Sequence, residues 1–244
     1  MEKVIEIAAL TKSFTGTTVL DGIDMFLGKG ETLVVIGKSG EGKSVTLKCI
    51  IGMTEADSGS IRVFGKEVTS MNEEELLEFR KKVGFLFQGG ALYDSMSVMD
   101  NMEFPLRKVL KMTDNSEIRQ RCQDTLDAVG LGEVSDKRPS SLSGGMRKRM
   151  ALARTLVVHP QVILYDEPTT GLDTITSGEI SELILELQEK YNTSSLIITH
   201  DMSCAKITAD RIIVLSGGKC SAEGTFDQLK QHDDPGVRAF FKSF

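Results

Sequence analysis

Short runs of hydrophobic residues that do not alternate in polarity recur along this chain. Such runs are typical of parallel strands that are buried on both faces of a sheet. Segments with helical periodicity separate them, so the pattern predicts an α/β fold with a mostly parallel sheet. The runs are Leu33–Ile36, Val83–Phe87, Val162–Tyr165, Leu196–Thr199 and Ile212–Leu215.

Glycine or a polar residue follows directly after each of the first four runs. In open α/β sheets, ligands bind beyond the carboxyl ends of the strands. We therefore expect these residues to converge on one ligand site at one edge of one sheet. The residues that follow the runs are Gly37, Gln88, Asp166 with Glu167, and His200.

Other regions of the chain follow different patterns. The first thirty residues differ from the rest, and Ile61 and Val63 alternate with polar neighbours, which predicts an N-terminal antiparallel β subdomain. Lys219–Phe226 predicts a further hairpin. No strand pattern occurs between Gln88 and Ser141, which predicts an inserted α-helical subdomain.

One helix of this insertion can be placed from its periodicity. It spans Ser116–Val129, with Asn115 or Ser116 as the expected N-cap. Apolar residues recur at helical spacing along it and predict one buried face. They are Ile118, Cys122, Leu126 and Val129.

Composition and charge are those of a soluble globular protein. The 244 residues suit one α/β domain, and 40% are hydrophobic and 26% charged. The formal net charge of −6 argues against broad nucleic-acid binding, which requires a basic footprint. We interpret the local basic cluster as a solvated helix face. Its members are Arg147, Lys148, Arg149 and Arg154.

The cysteines and the apolar runs predict a location in the cytosol. The 4 cysteines show no CxxC spacing, so we expect free thiols in a reducing compartment. A strand-like segment, Val4–Ile7, stands where a signal peptide would have its apolar core. No apolar run approaches the ~18 residues of a membrane-spanning helix. We therefore expect a cytosolic protein that serves a membrane only through a partner.

A complete phosphate-loop motif, G-x4-G-K-S, spans Gly37–Ser44. Glycines let consecutive backbone N–H groups point at one phosphate, and a helix starting near Gly42 adds its positive dipole end. Lys43 would act in catalysis by neutralising the β- and γ-phosphates, and the Ser44 hydroxyl would bind Mg²⁺. The alternative is a glycine-rich turn without nucleotide. The ATP-binding residues predicted here are Gly37, Ser39, Gly40, Glu41, Gly42, Lys43, Ser44 and Val45.

Asp166 and Glu167 place two carboxylates at the end of a predicted strand. We expect Asp166 to hold Mg²⁺ directly or through water. Glu167 is expected to orient and polarise the attacking water as a general base. The alternative is a strand that ends in an Asp-Glu-Pro turn, which Pro168 favours.

Gln88 and His200 are the other candidates for the hydrolytic site. Gln88 precedes two glycines, so its side chain can reach both metal and water from a flexible loop. His200, at a strand end, can hydrogen-bond the γ-phosphate and hold the geometry of the water. The alternatives are a polar loop residue for Gln88 and a structural histidine for His200.

Two further motifs, Leu142–Met146 and Gly171–Asp173, flank the carboxylate pair. Together with the phosphate loop, Gln88 and His200, they resemble in type and order the ATP-binding subunits of ABC transporters, over residues 2–230. The resemblance implies an ATPase that works as a head-to-tail dimer of two copies. Two ATP molecules would lie at the interface, in equivalent sites.

In such a dimer, the signature segment (Leu142–Met146) of one chain faces the γ-phosphate held by Lys43 of the other. Gly171 and Asp173 belong to the loop that couples the two sites. Phe14 stacks on adenine with its neighbour Val19, although tyrosine is commoner at that position, and the alternative is a core aromatic. The signature residues implied to act on the other chain are Ser143, Gly144, Gly145 and Met146.

The last residue of the signature segment is Met146, where glutamine is usual, and a basic stretch, Arg147–Arg149, follows it. This sequence is similar to ATPases of MCE-associated, Mla-type lipid transporters. The similarity implies transport of lipid, with phospholipid favoured, between bacterial membranes. The implied partners are a permease, an MCE-domain protein and a small accessory subunit, without nucleic acid. The implied location is the cytoplasmic face of the inner membrane.

Two other stretches are similar to the same branch. One includes Leu92 and Tyr93, which would either contact the permease or pack within the helical subdomain. The other is Asp233–Phe241, which would either grip the partner ATPase or pack as a short helix on its own domain.

The resemblance also gives the expected domain boundaries. One ABC ATPase domain spans residues 1–230, and residues 231–244 form a C-terminal tail. Within it, residues 1–88 and 142–230 form the catalytic core and the antiparallel subdomain. Residues 89–141 form the helical subdomain.

Three alternative functions stay open at this point. The first is an importer or exporter of another solute. The second is a soluble ABC ATPase in translation or DNA repair, although such proteins usually carry two ATPase units or a long coiled-coil insertion. The third is a nucleotide-regulated binding module without turnover, against which Glu167 and His200 argue.

Overall fold

The hydrophobic runs form strands of one six-stranded sheet in a computed structural model, which describes residues 2–242. A second sheet has four strands. In chain order, the strands of both sheets are β1 (Lys3–Phe14), β2 (Thr17–Gly28), β3 (Thr32–Ile36), β4 (Ser58–Val63), β5 (Lys66–Glu67), β6 (Val83–Leu86), β7 (Val162–Asp166), β8 (Ser194–Thr199), β9 (Arg211–Ser216) and β10 (Lys219–Gly224).

The strand order of both sheets confirms the predicted α/β class. The large sheet has the order β10-β9-β3-β8-β7-β6, in which only β10 is antiparallel to its neighbour. The small sheet has the order β2-β1-β4-β5 and is antiparallel throughout. The N-terminal antiparallel subdomain and the hairpin of β9 and β10 are therefore both present.

Burial on both faces explains why the runs do not alternate in polarity. All five residues of β3 are buried. Val34 and Ile36 belong to one hydrophobic cluster, which continues into the helical subdomain. Leu33 and Val35 belong to a second cluster, which continues into the antiparallel sheet. Each face of the strand therefore needs its own apolar side chains.

Helices connect the strands and fill the insertion. No helix among residues 2–242 is both long enough and apolar enough to cross a membrane. One-turn 3₁₀-helices occur at Val68–Ser70, Gly132–Val134 and Pro139–Ser141. The α-helices of the same residues are α1 (Lys43–Ile50), α2 (Glu73–Arg80), α3 (Val98–Lys108), α4 (Asn115–Ala128), α5 (Gly144–Leu156), α6 (Thr174–Tyr191), α7 (Met202–Thr208), α8 (Phe226–Lys230) and α9 (Pro235–Ala239).

Residues 89–141, predicted to form the helical subdomain, contain α3, α4 and two of the 3₁₀-helices, and no strand. The predicted N-cap of α4 is wrong. Asp114 caps the helix, because its Oδ1 accepts hydrogen bonds from the backbone N–H groups of Ser116 at 2.8 Å and Glu117 at 3.0 Å. The predicted apolar face of α4 is fully buried, and its residues are Ile118, Cys122, Leu126 and Val129.

The C-terminal helix α9 packs on its own domain. Val237 is 3% exposed and Phe241 is 1% exposed, and both join the cluster of the helical side of the sheet. The ring of Phe241 meets that of Phe226 edge-on, with centroids 5.1 Å apart. This is one of the two arrangements expected for the tail.

A buried ion pair fastens β9 to the turn that precedes β3. Arg211 donates to both carboxylate oxygens of Glu31, at 2.7 and 3.1 Å. It also donates to the Phe26 carbonyl oxygen at 2.7 Å, and its guanidinium lies 4.1 Å from the centre of the Phe26 ring. Glu31 is only 7% exposed, so its charge depends on this partner.

We expect Arg211→Met to lower the free energy of unfolding by about 3 kcal/mol, because it leaves the Glu31 carboxylate buried without its cation. Urea denaturation measures the change. Lys219→Met is the matched control, since it removes an ion pair with Asp21 in which both side chains are more than half exposed. The control should change stability by less than about 1 kcal/mol. A similar, small effect of both substitutions would contradict this account of Arg211.

Candidate functional site

The phosphate loop connects β3 to α1 and lies against β2. Gly40 and Gly42 have φ of +87° and +89°, in the left-handed region that favours glycine. A Cβ on Gly42 would lie 2.5 Å from Leu20 Cδ2 and 2.9 Å from the Val19 carbonyl oxygen. The loop therefore depends on Gly42 both for its conformation and for its close contact with the antiparallel sheet.

Lys43 places a cation inside this loop. It is 7% exposed, and its Nζ donates to the carbonyl oxygens of Gly37 at 2.7 Å and Lys38 at 3.0 Å. A carboxylate oxygen of Glu167 lies 3.9 Å away. The neutral carbonyls orient the ammonium without neutralising it, so its charge can attract the phosphates of a nucleotide.

Ser44 and Asp166 place two oxygen ligands side by side. The Ser44 hydroxyl donates to Asp166 Oδ1 at 2.9 Å. Burial raises the pKa of the Asp166 carboxyl, while the hydrogen bond from Ser44 lowers it. A divalent cation would favour the ionised carboxylate. A hydroxyl and a carboxylate are suitable ligands for Mg²⁺, which also keeps waters and substrate phosphates in its shell.

Glu167 and His200 are brought into direct contact. Glu167 Oε2 lies 2.8 Å from His200 Nδ1 and accepts from the His200 backbone N–H at 3.3 Å. Hydroxyls of Thr170 and Thr199 donate to the same oxygen at 3.2 and 3.3 Å. Neither threonine was predicted from the sequence, although each lies within three residues of a predicted site residue. They hold the carboxylate in place beside the phosphate loop.

The backbone of Glu167 is held in an unusual conformation. Its φ is +52°, which costs a non-glycine residue of the order of 1 kcal/mol. Its N–H donates to the carbonyl oxygen of Ile198 at 3.0 Å, across the ends of two adjacent strands. The side chain is thereby presented at the edge of the sheet, as predicted from the strand ends.

A cavity of about 480 Å³ collects most of the predicted nucleotide site. The glycine-rich loop lines it, together with Val19, which is predicted to lie beside adenine, and three of the candidates for hydrolysis. Its lining residues are Val19, Ser39, Gly40, Gly42, Lys43, Ser44, Val45, Gln88, Glu167 and His200.

Three predicted ATP-binding residues lie outside this lining. Gly37 contributes the carbonyl that accepts from Lys43. The Glu41 side chain accepts a hydrogen bond from the backbone N–H of Gly217 at 2.5 Å. Phe14 is 43% exposed, so it is not a core aromatic, and the ammonium of Lys12 lies 5.3 Å from its ring centre. The stacking of Phe14 on adenine stays a prediction, and the exposure of its ring is compatible with it.

The signature segment lies in a second groove, of about 440 Å³, and does not line the cavity of the phosphate loop. Ser143 caps α5, since its Oγ accepts from the backbone N–H of Met146 at 3.2 Å. A Cβ on Gly145 would lie 2.8 Å from Thr176 Cγ2, so a larger residue there would require Thr176 to shift. The groove is lined by Ser143, Gly144, Gly145, Met146, Arg149, Gly171, Leu172, Asp173, Thr176 and Glu179.

Asp173 caps α6 within the same groove. Its Oδ1 accepts from the backbone N–H groups of Ile175 at 3.1 Å and Thr176 at 3.0 Å. These bonds lower the pKa of its carboxyl. Ile175, next to this cap, is 78% exposed. One groove of a single chain is therefore lined by both the signature segment and the loop of Asp173.

The interpretation of the basic cluster as a solvated face is wrong for Lys148 and Arg154. Lys148 is 9% exposed and donates to the carbonyl oxygen of Gln88 at 2.7 Å. Arg154 donates to the carbonyl oxygens of Gly90 and Ala91. Spacing carried a signal for Lys148, because helix neighbours three and four residues later, Ala151 and Leu152, are buried.

We expect His200→Ala to lower kcat for ATP hydrolysis by about a hundredfold, because the Glu167 carboxylate loses its closest polar neighbour. Phosphate release by the purified protein measures the rate. His159→Gln is the matched control, since His159 lines neither groove described above, and its rate should stay near that of the unmodified chain. A wild-type rate for His200→Ala would return His200 to a structural role.

Known proteins of one family are similar to this chain. A family model described as ABC transporter matches residues 20–170. A Mycobacterium leprae protein described as probable ribonucleotide transport ATP-binding protein mkl is 40% identical over 240 residues, covering 98% of this chain and 69% of that protein. The chain covers 66% of the length of the corresponding Mycobacterium tuberculosis protein.

Two other curated relatives and one solved structure are similar as well. The intermembrane phospholipid transport system ATP-binding protein MlaF of Haemophilus influenzae is 38% identical, covering 99% of this chain and 91% of that protein. The methionine import ATP-binding protein MetN of Rhizobium etli is 36% identical, covering 91% and 61%. A dimeric post-hydrolysis structure of the ATP-binding cassette MJ0796 with ADP and Pi has a TM-score of 0.82 at 29% identity, covering 91% of this chain and 98% of that one.

Proposed function

We propose, because this chain belongs to the ABC transporter family and is an ATPase, that it powers lipid transport through a partner permease. A working hydrolytic site is supported above all by the cavity that Lys43, Ser44 and Glu167 line. Asp166 lies behind this lining and accepts a hydrogen bond from the Ser44 hydroxyl. The choice of lipid rests on the sequence around Met146 and on the likeness to a phospholipid transport ATPase over 99% of the chain.

Each group at the cavity has a distinct part in hydrolysis. Lys43 attracts the β- and γ-phosphates with its buried charge. Glu167 orients the attacking water and accepts its proton, while His200 holds Glu167 and reaches the γ-phosphate. Mg²⁺, which would be held by Ser44, Asp166 and Gln88, supplies charge neutralisation of the phosphates when bound.

The site is proposed to be completed by a second copy of this chain. Ser143 is exposed at the N-terminus of α5, and the unpaired backbone N–H groups of a helix N-terminus favour an anion. No signature residue lines the cavity of the same chain. A head-to-tail dimer would give the exposed helix N-terminus an anion and would supply the cavity with signature residues. Each chain then offers its signature groove to the nucleotide of the other. The dimeric cassette structure supports this arrangement.

The partners follow from the proposed lipid branch. We place the chain at the cytoplasmic face of a bacterial inner membrane, as a peripheral subunit below its permease. An MCE-domain protein and a small accessory subunit would belong to the same assembly. Nucleic acid is not a proposed partner, since the net charge is −6.

A second candidate function is import of a small solute such as an amino acid. The likeness to the methionine import protein, at 36% identity over 223 residues, favours it. Purification of the tagged chain from membranes, together with its permease, separates the two. Reconstituted into vesicles, the complex should transfer labelled phospholipid in an ATP-dependent way. Transport of a soluble solute with no lipid transfer would overturn the lipid proposal.

Tyr93 is the better of the two proposed permease contacts. It is 42% exposed, with its ring 4.9 Å from that of Phe104 and beneath the guanidinium of Arg154. Leu92, in contrast, packs against the hydrophobic cluster of the helical side. The ring of Tyr93 is therefore held rigidly at the surface, as anchors of protein interfaces often are.

We expect Tyr93→Ser to reduce co-purification of the permease by at least about tenfold, because it removes a rigid aromatic anchor. The ATPase rate of the isolated subunit should stay within about twofold, since Tyr93 lies outside the cavity. Val109→Ser is the control, because Val109 is also exposed on the helical subdomain, at 38%. Equal permease recovery with both variants would remove Tyr93 from the interface.

A further inference from the structure

Lys148 connects two parts of the hydrolytic site from beneath. Its Nζ donates to the carbonyl oxygen of Gln88 at 2.7 Å and to that of Glu167 at 3.4 Å. Burial lowers the pKa of its ammonium, whereas the nearby charges of Glu167 and Asp166 raise it. One buried cation therefore bridges the loop after β6 and the end of β7 through their backbones.

Arg154 strengthens the attachment of that loop to α5. It donates to the carbonyl oxygens of Ala91 at 2.7 Å and Gly90 at 3.0 Å. Together with Lys148, it donates to three carbonyls of the Gln88 loop from one helix. Hydrogen bonds from charged donors are about twice as strong as neutral ones, so the loop and α5 are expected to move as a unit.

The same helix carries the signature segment at its other end. Ser143 is the N-cap of α5, and Gly145 packs against Thr176 at the start of α6. Lys148 lies five positions after Ser143, in the first half of α5. The contacts of Lys148 with the Gln88 and Glu167 backbones and the cap formed by Ser143 therefore belong to one helix.

We propose that Lys148 is a positioning residue that connects a chain's own nucleotide cavity to the signature it offers to a second copy. This rests on the proposed head-to-tail dimer. Lys148 does not line the cavity itself. Its role is to fix the position of Ser143 relative to Gln88 and Glu167.

A mixing experiment with full-length chains tests this connection. One chain carries Ser143→Arg, so it keeps its own cavity but offers no working signature to its partner. The other chain carries Glu167→Gln, so it donates a signature but has no general base of its own; its Glu167 backbone carbonyl is retained. Phosphate release by the mixture then reports a single type of site, made from the cavity of the first chain and the signature of the second.

Lys148→Met is added to the chain that donates the signature. We expect phosphate release by the mixture to fall about tenfold, as the loss of a charged hydrogen bond would give. Addition of Lys148→Arg should restore at least about half of the rate, since a guanidinium keeps the charge and the N–H donors. Lys230→Met, an exposed lysine on α8, is the control and should leave the rate unchanged.

The binding affinity of the double variant for a fluorescent ATP analogue separates a specific effect from misfolding. It should stay within about threefold of the Glu167→Gln parent, because Lys148 does not line the cavity. If Lys148→Met in the donor leaves the mixture as active as before, the connection is refuted while the shared site stands. If the Glu167→Gln parent itself fails to activate the Ser143→Arg chain, the head-to-tail site is refuted, and the role of Lys148 with it.

Discussion

Replacement of Glu167 by glutamine is expected to lower the rate of ATP hydrolysis by about a thousandfold, while ATP still binds. The amide cannot accept the proton of the attacking water. It keeps the size of the carboxylate and can still accept from the hydroxyls of Thr170 and Thr199, which lie 3.2 and 3.3 Å from Glu167 Oε2. The substitution therefore slows the hydrolytic step and leaves the cavity able to bind ATP.

Phosphate release and the affinity for a fluorescent ATP analogue measure the two properties separately. Glu189→Gln is the matched control, because Glu189 is an exposed carboxylate on α6, away from both grooves. It should hydrolyse ATP at the rate of the unmodified chain. Near-normal phosphate release by the Glu167→Gln chain would remove Glu167 from its role as general base.

Substitution of Ser143 by arginine is expected to have the second largest effect, a loss of at least about a hundredfold in kcat. The side chain would obstruct the exposed N-terminus of α5, where the proposed dimer places the γ-phosphate of the other chain. Binding of ATP to the separate chain should not change, because Ser143 does not line the phosphate cavity. The expected pattern is thus intact binding with failed turnover.

Ser141→Arg is the control for this substitution. Ser141 is also exposed and lies only two residues earlier, in the 3₁₀-helix before the signature segment. It should retain turnover within about threefold, since a surface arginine outside the groove meets no phosphate. If both variants were equally active, the signature segment would have no part in hydrolysis.

The sheet and its ligand edge were predictable because the pattern is dictated by burial. Leu33 and Val35 face one core and Val34 and Ile36 the other, so the strand has to be apolar throughout. The polar residues after the strands converge because parallel strands end on the same edge. His200 and Glu167 meet at 2.8 Å for this reason. The contact between these two residues follows from their positions directly after parallel strands.

Helix caps and buried cations were less predictable, because neighbouring residues of the same type compete. Asp114, Asn115 and Ser116 can all cap a helix, and only the backbone geometry selects Asp114. The carbonyl of Gln88 that holds Lys148 lies 60 residues away in the chain. A local pattern identifies a lysine on a helix face, but its burial depends on the tertiary fold around it.

The exposure of Phe14 and the packing of Leu92 were also outside the reach of a local pattern. Both residues are apolar and lie at loop edges, so each has a surface and a core interpretation. The antiparallel sheet leaves Phe14 43% exposed, while Leu92 joins the hydrophobic cluster. The residues proposed to act on a second chain lie in a groove of their own, which is the arrangement a shared site requires.

The shared site is the central claim, and mixing two inactive chains tests it most directly. Equal amounts of the Ser143→Arg and Glu167→Gln chains are combined, and phosphate release is compared with that of each chain alone. Random pairing makes half of the dimers mixed, each with one complete site, so the mixture should recover about a quarter of the unmodified rate. A mixture as inactive as its components would contradict the account, because each chain would then have to supply every group of its own site.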